Sequence, residues 1–237
     1  MIDILYIIGP EGPNHDLELK CSLRSLYKHV KDWARIFITG RCPDFINQEK
    51  VIFTPCENES SSKMINQWIK VQKTIDETNI GENFVLMYDD IFFTKDVRLE
   101  PIPFYQKGKL GEDKNGGKDY QKSLDNTRRW LKKNKMTIYD HELHIPCVYN
   151  KIKFSSMKTL FLPQIKDKHP FAIRSIYANL FELNQPYRHD VKIRNPEDTQ
   201  NEQITGQEFI STTDWTFPFL AASIIEPHIQ DRSPWEK

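Results

Sequence analysis

Apolar residues fill positions 2–8, IDILYII, almost without a break, and Gly9-Pro10 and a polar loop close the run. Such a run reads as a buried strand. Over residues 16–30 the pattern changes to helical spacing, with Leu19, Leu23, Leu26, Tyr27 and Val30 recurring on one side. Short apolar runs at 35–39 (RIFIT) and 50–54 (KVIFT) predict two more strands, the first ended by Gly40. Ser60, Ser61 and Ser62 can cap a following helix whose stripe is Met64, Trp68, Val71 and Ile75. A strand at 84–88 then delivers Asp89 and Asp90, after which three apolar residues resume. This alternation predicts an α/β fold, a mostly parallel central sheet flanked by helices. Ligands of such sheets gather at the carboxyl ends of the strands, where the two aspartates fall.

The second half is less regular. Residues 106–118 read as a mobile loop, 119–134 as a basic helix containing Trp130, and 136–140 (MTIYD) as a short strand. A helix is predicted over about 169–183, with Phe171, Ile176, Leu180 and Leu183 on one side. The tail holds EFISTTDWTF (208–217) and a last apolar stretch over 217–225. No repeat, low-complexity tract or linker divides the chain, so residues 1–237 are expected to form a single domain.

Charge changes this picture only locally. The 33 basic and 33 acidic residues balance, so no global field draws a polyanion. Residues 105–135 depart from that balance, with ten Lys or Arg against four Asp or Glu. Cys21, Cys42, Cys56 and Cys147 form no CxxC pair and no metal-ligand spacing, as expected of reduced thiols in a cytosolic protein. The opening residues read as a first strand, so no signal peptide is expected, and no run approaches the ~20 apolar residues that span a bilayer. A cytoplasmic location is expected, the host cytoplasm if the chain is phage-encoded.

The paired aspartates carry the most pointed chemistry. A buried unpaired carboxylate costs several kcal/mol, so two of them inside NFVLMYDDIFF (83–93) need compensation. Side chains alternate along a strand. One carboxylate can therefore bind Mg²⁺ or Mn²⁺ while its neighbour holds a water or a sugar hydroxyl, the diphosphate of a substrate completing the shell. A tight turn with two solvated aspartates is the alternative. No phosphate-binding glycine loop, dinucleotide fingerprint or nucleophile elbow competes.

CSLRSLYKHVKDWARIFITGRCPDFI (21–46) together with LMYDDIFF (86–93) resembles the second conserved region of the Stealth family of sugar-phosphate transferases. More broadly, residues 2–95 resemble the nucleotide-binding half of GT-A glycosyltransferases, whose DxD-type motif holds a metal. HELHIPCVYNK (141–151) extends the likeness, whereas YIIGPEGPNHD lacks the Trp-Val-Asp opening of the Stealth family. The resemblance implies one GT-A-like, Rossmann-related domain. Residues 1–100 would bind a nucleotide-sugar and 101–237 would face the acceptor.

The resemblance also distributes roles. Asp89 and Asp90 match the double aspartate and would hold the Mn²⁺ or Mg²⁺, with His144 as a further ligand from late in the chain. His141 is a weaker alternative, because Pro146 argues against a helix that would align the two. Gly9 and Pro10 stand where the nucleotide base is received. Arg24, the arginine of SLRS, and Lys63 at a helix start are candidates for the phosphates, or else a surface arginine and an ordinary helix end. Asp90 and Asp214 are the catalytic candidates. Asp214 would be the general base or a sugar-binding residue, or else a helix cap before Trp215. Arg128, Arg129, Lys132 and Lys192 are the acceptor-binding candidates, and Asp190 is a weaker one. The remaining Trp and Phe residues read as core first.

The leading expectation is a metal-dependent glycosyltransferase taking a nucleotide-sugar, most readily a UDP-sugar. Its acceptor would be a glycan or, given the basic stretch with Tyr120 and Trp130, a hydroxymethylated DNA base as in phage DNA glycosyltransferases. A solvated basic helix beside a mobile lid is the plainer reading of that stretch. Sugar-phosphate transfer releasing a nucleoside monophosphate, and a nucleotide-binding protein without turnover, are the alternatives.

Overall fold

A computed structural model describes residues 1–113, 115–183, 185–201, 205–220 and 231–237. Four parallel strands and one antiparallel strand form the central sheet in the order β3-β2-β1-β4-β6. They are β1 (Ile2–Ile8), β2 (Trp33–Gly40), β3 (Ile52–Pro55), β4 (Asn83–Met87) and β6 (Cys147–Asn150). All seven residues of β1 are buried, as in a parallel strand covered on both faces. Tyr6 is paired with Ile38 on one side and with Met87 on the other. Helix α1 (Leu17–His29) carries the chain from β1 to β2, and α2 (Lys63–Glu77) carries it from β3 to β4. Because β1 has β2 on one side and β4 on the other, the connections diverge at the carboxyl ends of β1 and β4. That divergence is the crevice where open α/β sheets receive ligands.

Gly40 closes β2 with a φ of +123°, in the region only glycine enters freely. A Cβ there would lie 2.0 Å from the carbonyl oxygen of Ile8. The glycine lets the ends of β1 and β2 approach one another at the mouth of the crevice.

A second sheet, in the order β5-β8-β7, begins where the first one ends. Strand β5 (Ile91–Phe93) is antiparallel to β8 (Phe209–Thr212), and β7 (Lys192–Ile193) runs parallel to β8. The apolar run 83–93 is therefore two strands in two sheets, with Asp89 and Asp90 at the corner between them. The serines of SLRS fasten that corner. Ser22 Oγ lies 2.6 Å from the Ile91 carbonyl oxygen, to which it donates, and 3.0 Å from the Tyr6 hydroxyl. Ser25 Oγ accepts from Phe93 N at 3.0 Å. Both serines are fully buried, so these bonds are made away from competing water.

Several expectations need correction. The segment 106–118 makes several bonds to its surroundings in its described residues. Lys107 N donates to Asp140 O, Leu110 N donates to Ile138 O, and Lys107 Nζ pairs with Asp113 at 2.7 Å. MTIYD forms only an isolated bridge, Lys109 to Tyr139, in place of a strand. Helix α3 (Lys118–Lys133) stands as expected. After it come α4 (Lys151–Ser156), α5 (Lys158–Phe161) and α6 (Ile173–Leu180), the last shorter at both ends than its predicted span. Ser62 precedes α2 without a side-chain cap. The turn there is held by Asn66, whose Oδ1 accepts from Glu59 N and Ser60 N. A short helix, Phe217–Leu220, opens the last apolar stretch, and the remainder of that stretch lies outside the described residues. Among the described residues no helix is long and apolar enough to cross a membrane.

Candidate active site

Four carboxylates lie within electrostatic reach of one another around the switch point. Asp89 and Asp90 are half-buried at the sheet corner. Glu18 enters from the first turn of α1, buried to 7% exposure. Asp214 approaches from the turn after β8 and is exposed. Burial drives the Glu18 carboxyl up to about 7, and the negative charges of Asp89, Asp214 and Asp90 add to the effect. Glu18 Oε1 has no hydrogen-bond partner although it is buried. Asp89 is likewise raised well above the usual carboxylate range by burial and by Asp90, with Lys192 partly offsetting. Buried like charges of this kind need a counter-charge or a proton.

Two lysines supply part of that charge. Lys192, from β7, donates to Asp90 Oδ2 and is itself mostly buried. Lys70, from the middle of α2, is 5% exposed. Its Nζ donates to the Ile8 carbonyl at 2.8 Å and to Asn58 Oδ1 at 2.9 Å. Burial lowers its pKa, and Asp89 partly opposes that shift. The chain enters α1 through two left-handed non-glycine residues, His15 and Asp16, with φ of 49° and 62°. A two-pronged ion pair from Arg41 to the Asp16 carboxylate holds this uncommon turn. Asn14 Nδ2 donates to Asp214 O at 2.9 Å, tying the same loop to the opposite wall.

No protein-family model matches the chain, and no curated protein matches it. Among solved structures the chain is similar to the galactosyltransferase LgtC in complex with donor and acceptor sugar analogues. The TM-score is 0.48 at 12% identity, covering 98% of this chain and 83% of that one. A likeness of that degree carries nothing about function.

Of the residues singled out in the sequence, the fold brings Asp89, Asp90, Asp214 and Lys192 together, with Gly9 and Pro10 at the adjoining end of β1. A Cβ on Gly9 would meet nothing within 4 Å, so the crevice is open there. Others lie apart from this group. The Arg24 fork is taken by Glu236, Nε and Nη2 donating at 2.8 and 2.7 Å, which fastens the carboxyl-terminal tail to α1. Lys63 is exposed at the start of α2. Arg128 donates to Asp125 and Arg129 to Asn126, so both guanidinium groups have partners on α3 itself. Lys132 is exposed on the same helix.

His144 also departs from its expected place. Its Nδ1 lies 3.0 Å from Asp190 Oδ2, and its backbone N–H donates to the same carboxylate. Asp190 also accepts from Val191 N and Arg194. Despite its burial, the His144 side chain and these donors hold Asp190 well below the usual carboxylate range. Among the described residues no three His, Cys, Asp or Glu side chains are grouped as a metal would require, so the expected Asp89–Asp90–His144 set is not assembled. His141 is buried, its Nδ1 on Tyr105 O at 2.8 Å. Burial lowers its pKa to about 4.

The donor set still suits a hard divalent cation in chemical kind. Carboxylate oxygens are its preferred ligands, and Glu18 Oε1 is buried without a hydrogen-bond partner near the raised Asp89 carboxyl.

Glu18→Gln tests the field directly. A carboxyl whose folded value, about 7, exceeds its ordinary value of 4.5 contributes stability that is fully present below the lower value. That stability is lost as pH rises through the higher one. The substitution should therefore stabilise the metal-free protein at pH 8 by about 3 kcal/mol, an advantage that largely vanishes by about pH 4.5. Chemical denaturation at the two pH values checks it, and equal gains at both would refute the assignment.

Proposed function

We propose that this chain is a glycosyltransferase moving a sugar from a nucleotide-sugar donor to an acceptor hydroxyl. The observation that carries the reading is the mutual electrostatic influence of Glu18, Asp89, Asp90 and Asp214 around the sheet's switch point, with Lys192 ion-paired to Asp90. A site so rich in carboxylate suits an anionic diphosphate only when a cation joins the two. Asp89 and Asp90 would hold Mn²⁺ or Mg²⁺, which when bound offsets charge on the departing diphosphate.

The chain's own residues supply the rest. Gly9 and Pro10 leave room at the end of β1 for the base, uridine being the favoured one. Lys192 can pass from Asp90 to a donor phosphate as a mobile point charge. Lys70 fixes the Ile8 carbonyl and with it the strand end on which the base would rest. Asp214, exposed at the rim, would take the proton of the attacking hydroxyl.

The test is thermal melting against UDP-, GDP-, CDP- and dTDP-sugars, with and without Mn²⁺, followed by product analysis. One donor should stabilise the fold only with the metal, by roughly 2–4 kcal/mol at 100 to 1,000 times its dissociation constant. A nucleoside diphosphate should then be released. Release of a monophosphate would move the reading to sugar-phosphate transfer, binding without turnover would remove catalysis, and no shift with any donor would sink the reading.

A further inference from the structure

We propose that Trp215 and Phe219 form an acceptor platform, on which the apolar face of a neutral sugar ring stacks beside Asp214. The inference rests on the transferase reading and adds the class of acceptor. Both side chains are 58% exposed, and their rings lie 5.4 Å apart at 57°. The same short segment buries Phe217, stacked on Phe92 at 5.7 Å, and Leu220 beneath it. Its inner face is thus satisfied, yet two large aromatics are turned outward. Leaving two such side chains adjacent in water forgoes apolar burial, and aromatic side chains are enriched at binding surfaces.

The turn that presents them is held firmly. Thr213 N donates to Thr216 Oγ1 at 2.9 Å, and Thr216 N donates to Thr213 Oγ1 at 3.1 Å. Thr216 Oγ1 in turn donates to the Ile193 carbonyl at 2.9 Å, anchoring the turn to the second sheet. Stacking surfaces gain from such preorganisation, since little freedom remains to be lost on binding. The position is also continuous with the candidate site. Asp214 is the residue before Trp215, its carbonyl is tied to Asn14, and its charge is felt at Asp89 and Glu18.

Charge selects the occupant. The surroundings carry Glu18, Asp89, Asp90 and Asp214, and Lys192 is engaged by Asp90. A nucleic-acid strand would bring phosphates toward these carboxylates and be repelled. A neutral pyranose brings C–H groups to the rings and hydroxyl donors to the carboxylates.

The experiment is a neutral-glycan array probed with the full chain and with its Trp215→Ala, Phe219→Ala and Trp215→Phe variants. Melting curves without ligand confirm that each exposed substitution leaves the fold intact. The parent should retain a defined subset of glycans. Trp215→Ala should lose about tenfold or more in affinity, and Trp215→Phe should keep most of it. Absence of glycan binding by the parent, or equal binding by Trp215→Ala, overturns the proposal. So does loss in Trp215→Ala of binding to a single-stranded oligonucleotide or to phosphatidylcholine vesicles in place of glycans. The donor melting screen is read separately. A metal-dependent donor shift without glycan capture leaves the transferase reading standing and removes the platform, and the converse pattern does the reverse.

Discussion

Asp90→Asn should lower transfer on the order of a thousandfold and remove the metal-dependent shift with the donor, while the fold melts close to its usual temperature. Asparagine is the informative choice because of Lys192. That ammonium is 11% exposed and pairs with Asp90, and truncating one partner of a buried pair costs about 3–5 kcal/mol by stranding the other. Alanine would mix that loss with the loss of a metal ligand. Asparagine keeps an acceptor for Lys192 and removes only the charge. The comparison is differential melting with and without Mn²⁺ and donor, followed by kcat/KM. An undiminished metal-dependent shift in Asp90→Asn would show that the cation, if one binds, is held elsewhere.

Gly40→Ala should destabilise the fold strongly. Two costs add at this position. A non-glycine residue must adopt φ near +123°, and its Cβ must find room 2.0 Å from a backbone carbonyl oxygen. Left-handed backbone costs roughly 1–2 kcal/mol, and an overpacked interior adds about 1–3 kcal/mol. A loss of about 3 kcal/mol or more is expected, read as a fall in the urea midpoint with little change in slope. The displaced carbonyl is that of Ile8, which accepts from Lys70 Nζ, so donor binding should weaken along with stability. A midpoint equal to the parent's would mean that the ends of β1 and β2 separate easily, and the crevice would be softer than described.

The parallel half was legible because its signals are local. The unbroken run at 2–8 became β1, the 3.6-residue rhythm after it became α1, and α2 followed from its own stripe. The second sheet left no such trace. Its strands are two to four residues long, too short for periodicity, and β5 pairs with β8 across more than a hundred positions. CVYN escaped for the same reason, being a four-residue strand set by its antiparallel contact with β4. Glu18 and Lys70 were not legible as site residues. A charged residue in a helix ordinarily faces water, and only the tertiary fold buries these two. One signal was available for the second. Asn66, Lys70 and Thr74 recur every four residues, and all three are buried, a polar stripe beside the apolar stripe of α2. For Trp215 and Phe219 the error ran the other way, since apolar composition suggested core where the chain presents surface.

The corner at Asp89 and Asp90 has a mechanical consequence. One side of the crevice is clamped: Ser22 and Ser25 bolt β5 to α1, and β4 is locked between β1 and β6. The other side, which carries Lys192 and Asp214, is joined to it through the β5–β8 ladder and the Lys192–Asp90 pair. The crevice is thus fastened on both sides, by buried serines on one and by a strand ladder, an ion pair and the Asn14–Asp214 bond on the other. A substitution that loosens either fastening should therefore be felt at the carboxylates between them.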